Sequence, residues 1–257
     1  MGSLYTRNKL YNEENMDYLK EYKRLKAIGF PITEETINFV TALGKSDEIE
    51  THFDIYCMEM KCPKQERGFG IYEGFADHGR AGGEYLLARL DDEENIAINA
   101  AFLLSSYRVQ EACHFDAEEN ATILRALLRL AESQDVIIRR RSLIAIGWVG
   151  TEKEIEMLNR HLLTDEDALC RAWSASSFLQ MGMSERIAIN ILQAKTRDSL
   201  IKCLQSETNT FTKGVAVETI QTVWDTSFGL RASAVDSLKI KAIERASAKA
   251  LQYLEQM

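Results

Sequence analysis

The sequence predicts an all-α fold, an alpha-alpha superhelix of stacked helix pairs with an N-terminal helical cap. Three observations predict it. The run from Asp135 to Gly150 places Ile138, Ser142, Leu143, Ile146 and Val149 at i, i+4, i+5, i+8 and i+11, one broad apolar stripe on a helix. The pattern returns at residues 96–104 and 170–182 and, more weakly, at 211–217, each time behind a polar turn. A Leu-rich helix precedes every copy, at residues 86–90, 127–130, 158–162 and 200–204. With Ile96, Ile138, Cys170 and Phe211 taken as equivalent, the steps are 42, 32 and 41 residues. A helix, a short polar turn, a second helix and a return loop fit that length.

Within residues 135–150 the local chemistry agrees with a helix. Asp135 stands where an N-cap side chain would accept backbone N–H groups. Gly147 and Gly150 end the run, and Thr151 opens a new helix with Glu152 and Glu154 in its first turn. The packing residues are small or β-branched, so a neighbouring helix can lie close.

Residues 138–150, I-R-R-R-S-L-I-A-I-G-W-V-G, resemble the second helix of a HEAT repeat, whose usual run is V-R-x-x-A-A-x-A-L-G-x-L-G. Residues 170–182 resemble it too, keeping Arg171, Ala175 and Gly182. The first copy has Ala97 in place of the Arg, and the fourth has lost most of the pattern. The resemblance covers roughly residues 84–224 and implies a right-handed HEAT-like solenoid with a binding surface. HEAT-like proteins include scaffolds, lyase subunits, metal hydroxylases and DNA glycosylases, so the resemblance implies an architecture and leaves the activity open.

The remaining elements follow in chain order. Residues 1–60 form the helical cap: a helix over 11–28 closed by Gly29 and Pro31, a second begun by Thr33 as N-cap, and a third over about 46–60. Residues 61–83 hold six of the fourteen glycines and read as a Gly-rich loop insertion. Its aromatics Phe69, Tyr72 and Phe75 are expected to pack on the first repeat; a partner-binding loop is the other reading. Gly68-Phe69-Gly70 has neither a preceding strand nor a Lys-Ser/Thr pair, so it makes a poor phosphate loop. Residues 84–224 carry the HEAT-like repeats, and 225–257 are expected to supply one or two C-terminal capping helices.

Composition restricts the function classes. The 257 residues carry a formal net charge of −8 and a sequence pI of about 5.2. That disfavours a nucleic-acid binder, which normally shows a basic footprint, and suits a basic protein partner. No stretch approaches 18 uninterrupted apolar residues, so no membrane span is expected. No secretory signal is evident, and the match of residues 1–6 to an N-myristoylation signal reads as chance. Five scattered cysteines at 57, 62, 113, 170 and 203 suit a reduced, cytoplasmic protein without disulfides.

Catalytic chemistry finds little support. The resemblance admits iron hydroxylases that use His-Glu dipeptides, yet none of His52, His78, His114 and His161 is followed by Glu. Zinc would need a compact tetrahedral set; Cys57, Cys62, His52 and His78 are the candidates, without a close second pair. No G-x-S-x-G elbow occurs. A DNA glycosylase of the HEAT-like kind would use an Asp and aromatics on a basic concave face, which Trp148, Trp173 and Trp224 with Arg139, Arg140 and Arg141 could imitate. A phycobilin lyase subunit is the further enzyme reading. No cofactor and no metal are expected.

A binding surface is the favoured reading. Second helices line the concave face of such solenoids, and Arg140, Arg141, Ile144 and Trp148 include the outward positions. Asn99 and Trp173 align with Arg141. Arginine and tryptophan are common hot-spot residues, although Arg139 and Arg171 are expected to bridge repeats and the tryptophans could be packing between repeats. The turns Asp91-Asp92-Glu93-Glu94 and Asp165-Glu166-Asp167 would stack into an acidic rim that steers a basic partner, beyond what capping alone requires. The sequence therefore predicts a non-catalytic protein-binding repeat protein. Its acidic balance and size suit a bacterial immunity or adaptor protein that neutralises a basic toxin or nuclease.

Overall fold

The computed structural model describes residues 16–184 and 186–257, and all regular structure among the described residues is helical. The chain divides into two compact units, residues 1–85 and 86–257. Residues 1–6 and the predicted start of the first helix at 11–15 lie outside the described residues. No described helix is long and apolar enough to cross a membrane.

The first unit holds α1 (Tyr18–Ala27), α2 (Glu34–Lys45), α3 (Ile49–Met60), the short helix α4 (Ile71–Gly74) and most of α5 (Gly79–Leu87). Asp17 caps α1 and Thr33 caps α2 in a reciprocal box with Thr36. The core is aromatic: Tyr18, Tyr22, Phe30, Phe39, Phe53, Tyr56 and Phe75 are all buried. Edge-to-face geometry joins Phe30 to Phe39 and Phe53 to Phe75.

Residues 61–83, expected as a loop, are instead a chain of short helical turns built into this core. A 3-10 turn at Lys64–Glu66, α4, a second 3-10 turn at Phe75–His78 and the start of α5 occupy them. Several of the glycines serve close packing. A Cβ on Gly74 would come within 2.8 Å of Val40, and one on Gly44 of α2 within 2.6 Å of the Gly74 carbonyl. Gly70 takes φ +78° to turn the chain into α4. Glu59, 1% exposed, ties the segment down. Its carboxylate accepts from the Gly68 N–H at 2.6 Å, from Tyr22 at 2.5 Å and from Lys26 at 2.7 Å.

The second unit contains α6 (Glu94–Leu104), α7 (Tyr107–Cys113), α8 (Ala117–Leu130), α9 (Val136–Val149), α10 (Ile155–Thr164), α11 (Ala168–Met183), α12 (Ile189–Ser206), α13 (Thr210–Val223), α14 (Ala232–Asp236) and α15 (Ile240–Glu255). Helices α6, α9, α11, α13 and α15 pack successively in one row, with α8, α10 and α12 behind them. This is a HEAT-like alpha solenoid. The unequal steps acquire a cause. The 32-residue step uses the ten-residue α10 alone, α7 lengthens the preceding step, and the 18-residue α12 lengthens the last.

Small residues let the second helices approach. A Cβ on Gly147 of α9 would lie 2.8 Å from the Ser177 Cα of α11. Hydroxyls cross the same seams: Ser177 donates to the Leu143 carbonyl at 2.6 Å, Thr212 to Ala168 at 2.8 Å and Thr219 to Ala175 at 2.9 Å.

Candidate functional site

The expected binding residues fall into two groups, one on the row of second helices and one at the turns that begin them. On the helices, aromatic rings meet in pairs across the stack. Phe102 of α6 and Trp148 of α9 lie 5.0 Å apart edge to face, and Trp173 of α11 meets Phe211 of α13 at 6.0 Å. The guanidinium of Arg141 sits 4.8 Å above Phe102 and donates to the Asn99 side chain at 2.6 Å. Asn99 is buried, while Phe102, Arg141, Ile144, Trp148, Trp173 and Phe211 are half-buried. The result is two partly exposed aromatic pairs on the row of second helices, with the Arg141 cation over the first of them. Packing across repeats and partial exposure thus coexist in both tryptophans.

Phe102 and Phe211 escaped the sequence reading. Phe102 shares the repeat position of Ile144, and Phe211 that of Ile138. Their helical phase was visible; their pairing with the tryptophan of the neighbouring helix depends on how far each helix is shifted along the next.

At the turns the structure corrects the expectation of a continuous acidic rim. Arg139 donates to Asp165 at 3.2 Å and to its own turn at the Ser133 carbonyl at 2.9 Å. Arg171 repeats the arrangement with Glu207 at 2.6 and 2.9 Å and the Asp165 carbonyl at 2.8 Å. Arg140, expected to face outward, pairs with Asp167 at 2.7 and 2.5 Å. His161 joins Asp165 at 2.9 Å. Burial pushes the Asp165 and Glu207 carboxyls upward, but their guanidinium and backbone N–H partners outweigh it and hold both below the usual carboxylate range. Asp167 is held well below that range, mainly by Arg140. These acids are internal struts between repeats.

The first turn differs because Arg139, Arg140 and Arg171 each reach forward to acids of the following turn, and 91–94 begin the row, with no second helix before them in this unit. Asp91, Asp92, Glu93 and Glu94 all stay exposed, and the Asp91 side chain is 99% exposed, 3.5 Å from Arg129. Glu94 accepts from Ser133 at 2.6 Å, and Asp92 lies 3.6 Å from Arg89. Glu166 is exposed as well. The acidic surface therefore centres on 91–94.

Other candidate chemistry resolves into structure. A cavity of about 200 Å³ lies beside the Asp165 and Glu207 turns. Its charged walls, Asp165, Arg171 and Glu207, are the struts just described. Of the four zinc candidates, the structure brings together His52 and His78, whose rings meet at 2.9 Å, and the other His52 nitrogen bonds the Ile71 carbonyl at 2.9 Å. Among the described residues no three His, Cys, Asp or Glu side chains are placed to share a metal ion.

Comparison with known proteins agrees with the helix pairing. The family model described as HEAT repeats matches residues 83–178. No curated protein matches the chain.

Proposed function

We propose that the chain is a non-catalytic scaffold that binds another protein along its row of second helices, a reading supported by the match of residues 83–178 to the HEAT-repeat family. The observation that carries this reading is the partial exposure of two aromatic pairs on that row, Phe102 with Trp148 and Trp173 with Phe211, the first of them beneath Arg141. Large aromatics and arginine supply contact area at low entropic cost and recur at interface hot spots. The exposed acids at 91–94 border the first helix of that row and would steer a basic protein toward it. Neutralisation of a basic toxin or nuclease is the finer form of the reading, supported by the acidic balance and the size of the chain. A glycosylase-like or lyase-like enzyme would instead want an acid among these aromatics; the side chain that Arg141 bonds there is the amide of Asn99.

The test is affinity capture from native lysate with the wild-type chain, a Trp148→Ala/Trp173→Ala variant and an Arg141→Ala variant, each first checked by circular dichroism and melting. The expected result is one stoichiometric basic protein, at least tenfold weaker on the folded variants. A partner held at full affinity by these variants and by reversal of Asp91–Glu94 would remove this surface from the account.

A further inference from the structure

The second unit is electrically polarised along its repeat axis. Residues 86–185 contain ten Lys and Arg against seventeen Asp and Glu, whereas residues 186–257 contain ten against seven. In the first part Arg139, Arg140 and Arg171 are spent on the struts between repeats. In the second part three of the ten, Lys241, Arg245 and Lys249, lie on α15.

Helix α15 buries Ile243, Ala246, Ser247, Ala250 and Leu254 against the unit. Its opposite side carries Lys241, Arg245 and Lys249, spaced four residues apart and therefore in line, all exposed. Lys239 is the exposed N-cap residue of the helix, and the exposed Glu244 flanks the line. Among the described residues, no carboxylate lies within ion-pair distance of these four cations. Exposed apolar side chains stand at the start of the stripe: Leu238 is 50% exposed and Ile240 54%. A basic stripe next to exposed Leu and Ile, on an otherwise acidic chain, has the composition of a docking face for an acidic surface.

We propose that this face of α15 docks head to tail on the acid-rich first repeat of a second copy of the chain. The complementary surface is on the same molecule: the four acids of the Asp91–Glu94 turn are all exposed, and no Arg of a preceding second helix in this unit reaches them. Acidic run and basic stripe lie at opposite ends of one stack, so each copy can offer both at once. Such a contact is heterologous and extends into short chains of copies as concentration rises. Because charge dominates it, it weakens as the screening length shortens from about 10 Å at 0.1 M salt to about 3 Å at 1 M.

The test is sedimentation velocity of the full chain over a hundredfold concentration range at low and high salt. The expected result is a weight-average mass that climbs beyond a dimer at low salt and returns to the monomer at 1 M. Lys241→Glu/Arg245→Glu/Lys249→Glu, which alters only exposed positions, should be monomeric, as should Asp91→Lys/Asp92→Lys/Glu93→Lys. Mixing the two variants should restore a 1:1 complex, since the reversed stripe of one meets the reversed turn of the other, and that complex cannot extend. A wild-type chain that stays monomeric at low salt, association indifferent to both reversals, or a mixture that fails to pair overturns the proposal. The acidic turn enters both tests, but Lys241, Arg245 and Lys249 enter only this one, so the stripe reversal separates failure of this proposal from failure of the partner-binding reading.

Discussion

Asp167 serves two helices at once: its Oδ1 accepts the Cys170 N–H at 2.8 Å as the N-cap of α11 and the Arg140 Nε of α9 at 2.7 Å. A local capping preference and a long-range pairing converge on one carboxylate. Helix initiation in one repeat thereby depends on the position of the repeat before it.

Replacing Asp167 with Ala should cost about 2 kcal/mol, since a lost cap is worth about 1 kcal/mol and a half-buried Arg140 loses its partner. Asp167→Asn keeps a capping acceptor and should cost about half as much. Urea denaturation at neutral pH measures both. Because Arg140 holds the Asp167 carboxyl well below its unfolded value, its stabilisation is complete above about pH 4 and is lost as the pH falls further. The difference between wild type and Asp167→Asn should shrink over that window.

Arg171 binds Glu207 through two nitrogens while also holding the Asp165 carbonyl. A lysine cannot reproduce that fork. Arg171→Lys should lower stability by about 1 kcal/mol and Arg171→Ala by about 3 kcal/mol, because the Glu207 side chain is 4% exposed and would be left without its cation. Equal losses in the two variants would mean that the fork geometry contributes nothing.

The glycines of the two repeat helices should respond oppositely to alanine. At Gly147 the new methyl would meet the Ser177 backbone at 2.8 Å, forcing α9 and α11 apart at a cost of about 1–3 kcal/mol. At Gly182 it would meet Leu192 at an ordinary 3.4 Å, and the gain in helix propensity should leave the protein neutral or up to about 1 kcal/mol more stable. Thermal melts of the two variants, side by side, check the contrast.

His52 predicts an acid sensitivity of the first unit. Burial drives its pKa down to about 3, with the neighbouring His78 acting in the same direction against the Ile71 carbonyl bond. The folded chain refuses a proton that the unfolded chain accepts below about pH 6.5. Stability is therefore greatest above that pH and declines toward pH 3, by at most about 1.4 kcal/mol per pH unit. His52→Gln removes this titration, so wild type minus variant stability should fall between pH 6.5 and 4; a pH-independent difference rejects the coupling.

What the sequence determined by itself was everything with a short range. The 3.6-residue periodicity of Ile138, Ser142 and Ile146, the caps Thr33 and Asp135, and the recurrence of the motif specify helices, ends and stacking partners, because each follows from contacts within one helix or between adjacent helices. Only the tertiary structure decided which charged and aromatic groups remain available. Arg140 and Asp167 are 27 residues apart, as are Arg139 and Asp165 within one residue, and no local rule says whether such a pair closes inward or faces a partner. That depends on an offset of a few ångströms between packed helices. The same holds for residues 61–83, where composition suggested a loop. Glycine supplies flexibility in isolation, but against Val40 and the Gly74 carbonyl it supplies the room for two backbones to touch.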